Sequence, residues 1–534
     1  MTFVVEVEVG DVVARTVIHQ LLNRGAAATS KMLGGVSVCV LVVALVAAAA
    51  YLYSRWRHNY WAARGINSPP TLPFLGHILK VLKIEPGRFL FDYEVYSKYG
   101  GSNYCGLYEF HKPTLFVGNP ELMKHIFVKD FDHFTDRRSF EIYSDRDKLV
   151  SEMLSLKNGK EWKVLRSIMT PIFSSGKIKS MFSLVTQVAD TLVTYSLEQA
   201  SKQPHVEMKD NFGRFTMDTI ATCAFGINCN SFANKNAEFA KNADDFFTYG
   251  PWKIFKLILL MFIPKLFKIF NITFNGPELD FFKTVVDQTL STRKTGNKRG
   301  DFLDLLLEER TFDNKENSTN KQALSDHSIV SQSILFLVAG YDTTASTLSF
   351  CSYELAKNPR EQQRLRNELI DLMKENNGEL TYQGIMEAKL LNACLNESLR
   401  MYPPLSTAER VCVKPYQLPG TNIHLKPGDL VQLPIWCVQH DPKYWPEPDT
   451  FRPDRFMPEN KNQIHSYTHM PFGMGPRNCI AMRFALMEAK VALAKMVLAA
   501  EMSLANKDEE LKLVTGGGVM RPKNGIKLIL RPIN

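Results

Sequence analysis

The sequence lacks several patterns that mark redox clusters, disulfide scaffolds and nucleotide-binding domains. Its nine cysteines form no Cys-x-x-Cys pair, which argues against a zinc ribbon, a ferredoxin-type cluster and a disulfide framework. No Gly-x-Gly-x-x-Gly motif occurs, so the chain shows no flavin or dinucleotide domain of its own. We therefore expect most of the thiols to be free and buried, in a reducing compartment.

A large excess of positive or negative charge is also missing. The chain has 64 Lys+Arg against 55 Asp+Glu, a net charge of +9 over 534 residues, with 45% hydrophobic and 22% charged residues. These proportions are typical of globular proteins and exclude a largely disordered or fibrous chain. No basic helix with interleaved aromatics occurs, so nucleic-acid binding is not predicted. The small basic surplus suits an acidic partner or an anionic membrane face.

A run without any charged residue, Met32–Ser54, lies near the start. As a helix it would be roughly 34 Å long, enough to cross a hydrocarbon core of about 30 Å. Arginines and aromatic residues follow it, so we predict a transmembrane anchor at 32–54 with the bulk of the chain in the cytosol. A cleaved signal peptide is the alternative, which the length of the run disfavours. Residues 1–31 form an extension of uncertain role, and their acids argue against a mitochondrial leader.

The rest of the chain divides into a short hinge and one large domain. Residues 55–76 are basic and proline-rich, which predicts a stiff, extended connection. No further linker or repeat interrupts 77–534, which we interpret as a single domain.

Apolar residues at three- and four-residue spacing predict a mainly α domain with a minor β part (α+β). The predicted helices are Ile178–Gln199, Ser325–Lys357, Pro359–Met373, Ala388–Met401 and Ala481–Leu504. The predicted strands are Tyr104–Leu107, Thr114–Val117, Ile423–Leu425, Asp429–Leu433 and Ile526–Leu530.

The stretch Gly250–Pro277 is apolar and carries four lysines but no acid. This composition favours an element that lies in the membrane interface. An ordinary buried helix pair with snorkelling lysines is the alternative.

The segment Phe472–Cys479, FGMGPRNC, is the most informative part of the sequence. Two glycines and a proline predict a tight loop that places Cys479 at the start of a helix near Ala481. A helix N-terminus lowers the pKa of a thiol, which suits a thiolate held as a ligand. Arg477, two residues earlier, is placed to meet an anion.

This segment resembles the haem-binding signature FxxGxRxC of the cytochromes P450. The resemblance implies the cytochrome P450 fold, with haem b as the cofactor and Cys479 as the axial ligand of its iron. A thiolate ligand favours O–O cleavage. One departure is visible, because Ala481 stands where the family usually has glycine.

Three further segments resemble the same family in the same order, so the likeness covers the chain from Pro69 onward. Ala339–Thr344 lies in the middle of the long predicted helix, where Asp342 and Thr343 are the implied proton-delivering pair. Glu397 and Arg400 match the ExxR pair, and Arg455 supplies the partner of this structural network. Further motifs imply residues that bind the cofactor, chiefly its propionates: Trp162, Arg166, Arg477, Arg410, Arg137 and Phe472. The resemblance also implies substrate contacts, at Phe336, Ala339, Leu405–Ala408 (chiefly Leu405 and Ala408) and Gly518–Met520 (chiefly Met520).

Three weaker signals do not predict sites. His465 and His469 are four residues apart but have no third ligand nearby in sequence, and Cys223 and Cys229 have no partnering histidine. The glycosylation sequon at Asn396–Ser398 overlaps the ExxR pair, which fits a cytosolic domain.

The sequence is thus identified as a member of the microsomal cytochromes P450 and resembles their xenobiotic- and lipid-oxidising branch. It implies a monooxygenase of the endoplasmic reticulum membrane, acting on lipophilic small molecules with O₂. Electrons would come from NADPH through cytochrome P450 reductase, with cytochrome b5 as a further partner. The alternatives are a haem isomerase of lipid peroxides, a haem-based gas sensor and a mitochondrial enzyme fed by a ferredoxin.

Overall fold

The structure is a computed structural model. It describes residues 35–82, 85, 87–139, 144–226, 229–233, 238–248, 250–294, 301–312, 324–516 and 518–533. The predicted extension at 1–31 lies outside the described residues, as do the first residues of the predicted anchor.

Helices account for most of the described chain, as the apolar periodicity predicts. In the first half they are α1 (Gly35–Arg57), α2 (Ile78–Val81), α3 (Arg88–Lys98), α4 (Pro120–Lys124), α5 (Asp145–Ser151), α6 (Gly159–Met169), α7 (Ser175–Lys202), α8 (Met208–Phe225), α9 (Glu238–Phe247) and α10 (Pro251–Phe262). They continue as α11 (Pro264–Ile269), α12 (Glu278–Lys294), α13 (Phe302–Phe312), α14 (Asp326–Lys357), α15 (Pro359–Glu375), α16 (Tyr382–Glu387), α17 (Lys389–Met401), α18 (Ile435–Gln439) and α19 (Met482–Ala499).

The strands are short and form small sheets. They are β1 (Tyr104–Glu109), β2 (Lys112–Val117), β3 (Val206–Glu207), β4 (Ala408–Val411), β5 (Tyr416–Gln417), β6 (His424–Leu425), β7 (Leu430–Leu433), β8 (Ala500–Leu504), β9 (Leu513–Gly516), β10 (Val519–Pro522) and β11 (Lys527–Pro532). The β4–β7 and β9–β10 pairs are antiparallel, and β11 lies between β3 and β8.

The prediction of a helix over Ala481–Leu504 is wrong for its last five residues. The helix α19 ends at Ala499, and the next five residues form β8, which pairs antiparallel with β11 from Ala500↔Pro532 to Leu504↔Leu528. Pairing with a strand that lies outside the local segment overrides the local apolar period. The other four predicted helices are confirmed to within a few residues by α7, α14, α15 and α17.

The chain divides into two compact units, Met1–Val81 with Cys105–Thr114, and Leu82–Tyr104 with Leu115–Asn534. In the first unit the predicted hinge is bound to β1. The backbone N–H of Gly106 donates to the Asn67 carbonyl at 2.8 Å, and Trp61 Nε1 donates to the Leu107 carbonyl at 2.9 Å. The segment is therefore fixed by hydrogen bonds over much of its length.

The second unit is built around α14. Side chains of α7, α8, α14, α17 and α19 share one hydrophobic core. Gly340 of α14 lets α8 approach, since a Cβ there would lie 2.5 Å from Cδ1 of Ile220. By length and hydropathy, α14 could cross a membrane, but most of it is buried, as in the core helix of a globular domain.

Candidate functional site

A cavity of about 350 Å³ lies in the second unit, and its walls are mostly apolar. The middle of α14 forms one wall, and the loop before α19 with the first turns of α19 forms another. Segments around α6, α7, α8 and β4 and the start of α13 contribute further side chains. Most of the residues singled out by the sequence line this cavity: Arg137, Trp162, Arg166, Phe336, Ala339, Thr343, Leu405, Ala408, Arg410, Phe472, Arg477 and Cys479.

The loop before α19 has the tight geometry that its glycines predict. Gly473 and Gly475 adopt φ values of 70° and 71°, which side chains disfavour. A Cβ on Gly475 would overlap the backbone carbonyl of Phe127. The N–H of Cys479 donates to the Phe472 carbonyl at 2.8 Å, which closes the loop and presents the thiol to the cavity.

The pKa of the Cys479 thiol is not lowered, although its position before a helix N-terminus predicts that it would be. Burial raises the pKa of the thiol, and the Ala481 backbone together with the guanidiniums of Arg166 and Arg137 opposes this rise. The surrounding groups therefore favour a thiolate but do not outweigh desolvation. A cation bound at the sulfur would supply the missing stabilisation, since metals deprotonate the thiols that bind them.

Four arginine side chains meet at the cavity, and two of them have buried nitrogens without a partner. Arg410 is 2% exposed, its Nε has no hydrogen-bond partner, and the Nε of Arg477 has none. Burial first, and then the charges of Arg137 and Arg477, lowers the pKa of Arg410 well below its ordinary value. Burial and Arg137 likewise lower the pKa of Arg477 to about 9. Buried positive charges that lie this close together are stabilised when an anion binds among them.

Hydrogen bonds and a ring hold these cations in place. Arg166 donates to the Asn478 carbonyl at 3.0 Å and to Asn478 Oδ1 at 2.9 Å. Arg137 Nη2 donates to the Arg477 carbonyl at 3.1 Å, and the Arg477 guanidinium lies 4.3 Å from the centre of the Trp162 ring. The cations are thus positioned by the cysteine loop itself and by α6.

The donor set fits a haem. An apolar cavity suits the porphyrin, the clustered guanidiniums suit its two propionates, and a soft thiolate suits its iron. Cys479 would hold the iron, and Arg137, Arg166, Arg410 and Arg477, with Trp162 beside them, would hold the carboxylates.

The residues of the Ala339–Thr344 segment do not all face the same way. Thr343 and Thr344 line the cavity, and the Thr343 hydroxyl donates to the Ala339 carbonyl at 2.7 Å. Asp342 does not line it. Its carboxylate is buried and accepts hydrogen bonds from Lys209 Nζ and Arg521 Nε, each at 2.7 Å.

The two cations keep Asp342 ionised. Burial acts to raise the pKa of Asp342, but Lys209 and Arg521 outweigh it and hold this pKa below its usual value. The expected role of Asp342 in proton delivery remains a prediction, and the carboxylate would have to leave both cations to reach the cavity.

The ExxR residues lie away from the cavity and form a buried network. Arg400 binds Glu397 in bidentate fashion, with Nε–Oε2 at 2.8 Å and Nη2–Oε1 at 2.9 Å. Arg455 Nε donates to Glu397 Oε1 at 3.2 Å. Arg400 also donates to the backbone carbonyls of Gln439 and Pro448, so the network joins α17 to the end of α18 and to the segment that follows it.

Three phenylalanines form an aromatic wall on the cavity. The ring centres of Phe302 and Phe336 are 4.2 Å apart with an edge-to-face angle of 77°, and Phe173 lies 5.3 Å from Phe336. Of the expected substrate contacts, Met520 does not line the cavity but is fully buried in the core. Its N–H donates to the Pro404 carbonyl at 2.9 Å, so it supports the segment that carries Leu405.

Sequence reasoning missed Glu488, Thr344, Phe173 and Phe302, which also line the cavity. A signal for Glu488 was present, since it is the one acidic residue of the otherwise apolar and basic helix α19. The phenylalanines gave none, because apolar residues of these helices have the same spacing whether they face a core or a cavity.

The histidine pair and the glycosylation sequon make internal contacts. His469 Nε2 contacts the Asn396 carbonyl at 3.2 Å, and burial lowers the pKa of His469 to about 4. The described residues hold no cluster of three groups able to bind a metal ion directly. The side chain of Asn396, in the sequon, donates to the Asn392 carbonyl at 2.8 Å.

Comparison with known proteins agrees with this geometry. The cytochrome P450 family model matches residues 66–530. Cytochrome P450 9e2 of Blattella germanica is 37% identical over 87% of this chain and 92% of its own. Cytochrome P450 3A11 of Mus musculus is 37% identical over 92% and 96%, and cytochrome P450 6k1 of Blattella germanica is 35% identical over 92% and 97%. The chain therefore belongs to the cytochrome P450 family, and it is an oxidoreductase of the monooxygenase class that binds haem b through a cysteine thiolate.

Proposed function

We propose that this protein is a membrane-anchored monooxygenase that inserts one oxygen atom of O₂ into lipophilic small molecules and reduces the other atom to water. The observation that carries the proposal is the Cys479 thiol, which opens into an apolar cavity beside four arginines. When bound, the haem supplies O₂ activation, and its thiolate ligand favours O–O cleavage.

The side chains of the cavity have distinct tasks. Cys479 holds the iron, and the guanidiniums of Arg137, Arg166, Arg410 and Arg477 orient the cofactor through its carboxylates. The phenylalanine wall, with Ala339, Leu405 and Ala408, binds apolar substrate and excludes water, which strengthens polar interactions inside the cavity. Thr343 and Thr344 place hydroxyls at the cavity wall, where they can pass protons inward.

Apolar walls of this size favour xenobiotics, steroids or fatty acids as the substrate class. Recognition would rest on shape and apolar contact, because the polar groups of the cavity are mainly those assigned to the cofactor.

The electrons come from NADPH through a separate cytochrome P450 reductase, and cytochrome b5 is a further donor. The sequence supports an external donor because it contains no dinucleotide-binding glycine motif. The basic surplus of the chain favours docking of an acidic partner.

Two elements support attachment to the endoplasmic reticulum membrane with the catalytic domain in the cytosol. The helix α1 exposes large apolar side chains, including Val43 at 67% and Leu52 at 66%, and ends in Arg55 and Arg57. We propose that it spans the bilayer once.

The second element is the pair α10 and α11, within the stretch predicted to lie in the interface. Trp252 is 66% exposed, Ile269 72% and the following Phe270 68%. Of the four lysines, Lys253 and Lys256 are held within the protein, by Glu278 Oε1 at 2.7 Å and by the Thr273 carbonyl at 2.8 Å. Lys265 and Lys268 are exposed near the apolar side chains, which suits a membrane surface.

The proposal is tested by comparing the full-length protein with Cys479→Ala after co-expression with the reductase in membranes. The wild type is expected to give the red-shifted absorption of a thiolate-ligated haem with carbon monoxide, and to consume NADPH and O₂ as substrate is hydroxylated. Cys479→Ala is expected to lose both properties. Cys229→Ala, which changes a thiol that does not line the cavity, serves as the matched control.

A Cys479→Ala variant that keeps the thiolate absorption and turnover contradicts the assignment. Rearrangement of a lipid peroxide without NADPH, and without hydroxylation of any substrate, points instead to an isomerase. The thiolate absorption without any turnover in the presence of reductase indicates a sensor.

A further inference from the structure

The segment Glu152–Asn158, which joins α5 to α6, supplies part of the cavity wall and is called the wall segment below. Leu154 and Ser155 are its two residues that line the cavity. Near its end, the Lys157 carbonyl accepts a hydrogen bond from Arg477 Nη2 at 2.6 Å. The cysteine loop therefore holds this end of the wall segment.

The other end of the wall segment is held by a single side chain of α14, Gln332. Its Oε1 accepts a hydrogen bond from the Leu154 N–H at 2.8 Å, and its Nε2 donates to the Glu152 carbonyl at 2.7 Å. Gln332 is fully buried and does not line the cavity. One primary amide thus satisfies a backbone donor and a backbone acceptor of the wall segment at the same time.

Apolar packing alone does not fix the wall segment in this place. Met153 and Leu154 share a hydrophobic core with Ile329 and Val330 of α14. Such contacts are non-directional, so they hold the segment against the helix without specifying its position along it. The two hydrogen bonds of Gln332 do specify it, because each needs a short distance and a nearly linear geometry.

The helix that carries Gln332 also carries side chains of the cavity wall. Phe336 and Ala339 follow Gln332 by about one and two helical turns, and both line the cavity. The amide therefore relates Leu154 and Ser155 to these two side chains through one rigid element. A displacement of about 1 Å in the groups that position a substrate can change a rate by about 100-fold. The place of the wall segment thus bears directly on which substrate atom can react.

We propose that Gln332 is a positioning residue that determines which carbon of an apolar substrate is oxidised. It acts through Leu154 and Ser155, which it holds at a set place beside α14. The inference rests on the proposed function, since it concerns the regioselectivity of that reaction.

Gln362 of α15 offers a matched control elsewhere in the fold. This buried amide also pairs with a backbone donor and acceptor, since Oε1 accepts from the Met502 N–H at 2.8 Å and Nε2 donates to the Met502 carbonyl at 2.9 Å. Neither residue lines the cavity. Arg366 Nη2 donates to Gln362 as well, and it keeps the Ala500 carbonyl as a partner when the amide is removed. Loss of the Gln362 amide should therefore lower stability without moving the cavity wall.

Hydrogen–deuterium exchange of the full-length, haem-loaded protein tests the clamp without turnover. Gln332→Met keeps the length of the side chain and removes both hydrogen bonds, so the amides of the wall segment are expected to exchange about tenfold faster or more. Gln332→Glu keeps an acceptor for the Leu154 N–H and is expected to lie between the wild type and Gln332→Met. Gln362→Met is expected to leave exchange of the wall segment unchanged.

Product analysis with the reductase tests the effect on the reaction. The probe is progesterone, a rigid skeleton with several carbons open to oxidation, or dodecanoic acid if the steroid is not oxidised. In Gln332→Met the ratio of hydroxylated isomers is expected to change at least about threefold, while haem content and the carbon monoxide spectrum stay as in the wild type. Gln362→Met is expected to keep the wild-type ratio although its thermal midpoint falls. A merely structural glutamine would lower the midpoint in both variants and change the ratio in neither.

Two outcomes overturn the proposal: unchanged exchange of the wall segment in Gln332→Met, and an unchanged product ratio in a Gln332→Met protein whose exchange has risen. An equal change of ratio in Gln362→Met also overturns it, because the effect would then follow from lost stability. If Gln332→Met does not bind haem, wild-type exchange and a wild-type ratio in Gln332→Glu overturn it. A wild type that oxidises neither probe counts against the proposed function, and the exchange rates then decide the clamp separately.

Discussion

The Asp342 carboxylate and the Arg521 guanidinium, 179 residues apart in sequence, are joined at 2.7 Å between Oδ2 and Nε. Lys209 completes the arrangement from α8. The acid of the central motif is thus tied to α8 and to β10, and it fixes the helix that carries Thr343 and Thr344. Its charge state links the stability of the site to pH.

Asp342→Asn should destabilise the protein by about 3 kcal/mol at neutral pH, because it leaves two partly buried cations without a counter-charge. The pKa of Asp342 is depressed in the folded protein, so its stabilising effect is complete above about pH 4 and is lost as the pH falls through the folded value. The difference in thermal midpoint between wild type and Asp342→Asn should therefore be constant at higher pH and shrink as the pH falls below about 4. A difference that does not change with pH contradicts the ion-pair interpretation.

Arg410→Met should accelerate haem loss. Arg410 is buried, its Nε has no partner, and the other arginines repel it, so its charge is compensated when the cofactor carboxylates are present. Removing such a contact costs about 2–3 kcal/mol, or roughly 30- to 150-fold in affinity. Transfer of haem to an apomyoglobin acceptor measures the rate.

The matched control for Arg410→Met is Arg138→Gln. Arg138 does not line the cavity and binds Glu409 at 3.1 Å. Equal rates of haem loss in the two variants would show that Arg410 has no special part in holding the cofactor.

The two glycines of the cysteine loop should differ sharply in how well they tolerate substitution by alanine. Gly475→Ala puts a Cβ on the carbonyl of Phe127 and is expected to abolish haem incorporation. At Gly473 the nearest atom to a new Cβ is Asn478 Cα at 3.8 Å, so Gly473→Ala meets no clash and has only the cost of its positive φ, about 1 kcal/mol. Haem content per protein, read from absorbance, measures both variants. Equal loss in the two would contradict the close approach of Phe127.

Phe336→Ala should weaken the binding of small apolar ligands. The ring packs edge-to-face on Phe302 at 4.2 Å and faces the cavity, so its removal takes away apolar contact area. A loss of about 1.5 kcal/mol corresponds to a roughly tenfold higher Kd in a spin-state titration. Phe336→Leu should retain part of the affinity.

Phe255→Ala is the control for that titration, since this ring is 51% exposed and lies outside the cavity. An unchanged Kd in Phe336→Ala would mean that the phenylalanine wall does not contact the ligand.

Local sequence chemistry was sufficient to predict the mainly helical class and the position of the cysteine loop. The apolar period located α7, α14, α15 and α17 because each buries a broad apolar face. The loop was predictable because two glycines with positive φ and a proline leave the backbone few alternatives. The β8 strand was not, because its identity depends on pairing with β11.

The family signature determined which residues would gather at the site, but tertiary structure decided their orientation. Cys479 and the arginines expected to bind the propionates line the cavity, whereas Asp342 does not, and Met520 is in the core. A motif specifies residue types at given spacings, and the direction of each side chain follows from the packing of α14 against α8, α19 and β10. Neighbours in sequence such as Asp342 and Thr343 thus have different surroundings.

The sequence by itself determined the family and the cofactor and predicted the thiol that binds it, because these rest on short local patterns. Only the tertiary structure decided the surroundings of the buried carboxyls. Glu488 and Thr344 come from separate helices, and the state of a buried carboxyl depends on whether the fold supplies a cation. For Asp342 the fold supplies Lys209 and Arg521, and for Glu488 it supplies a hydroxyl and an apolar cavity.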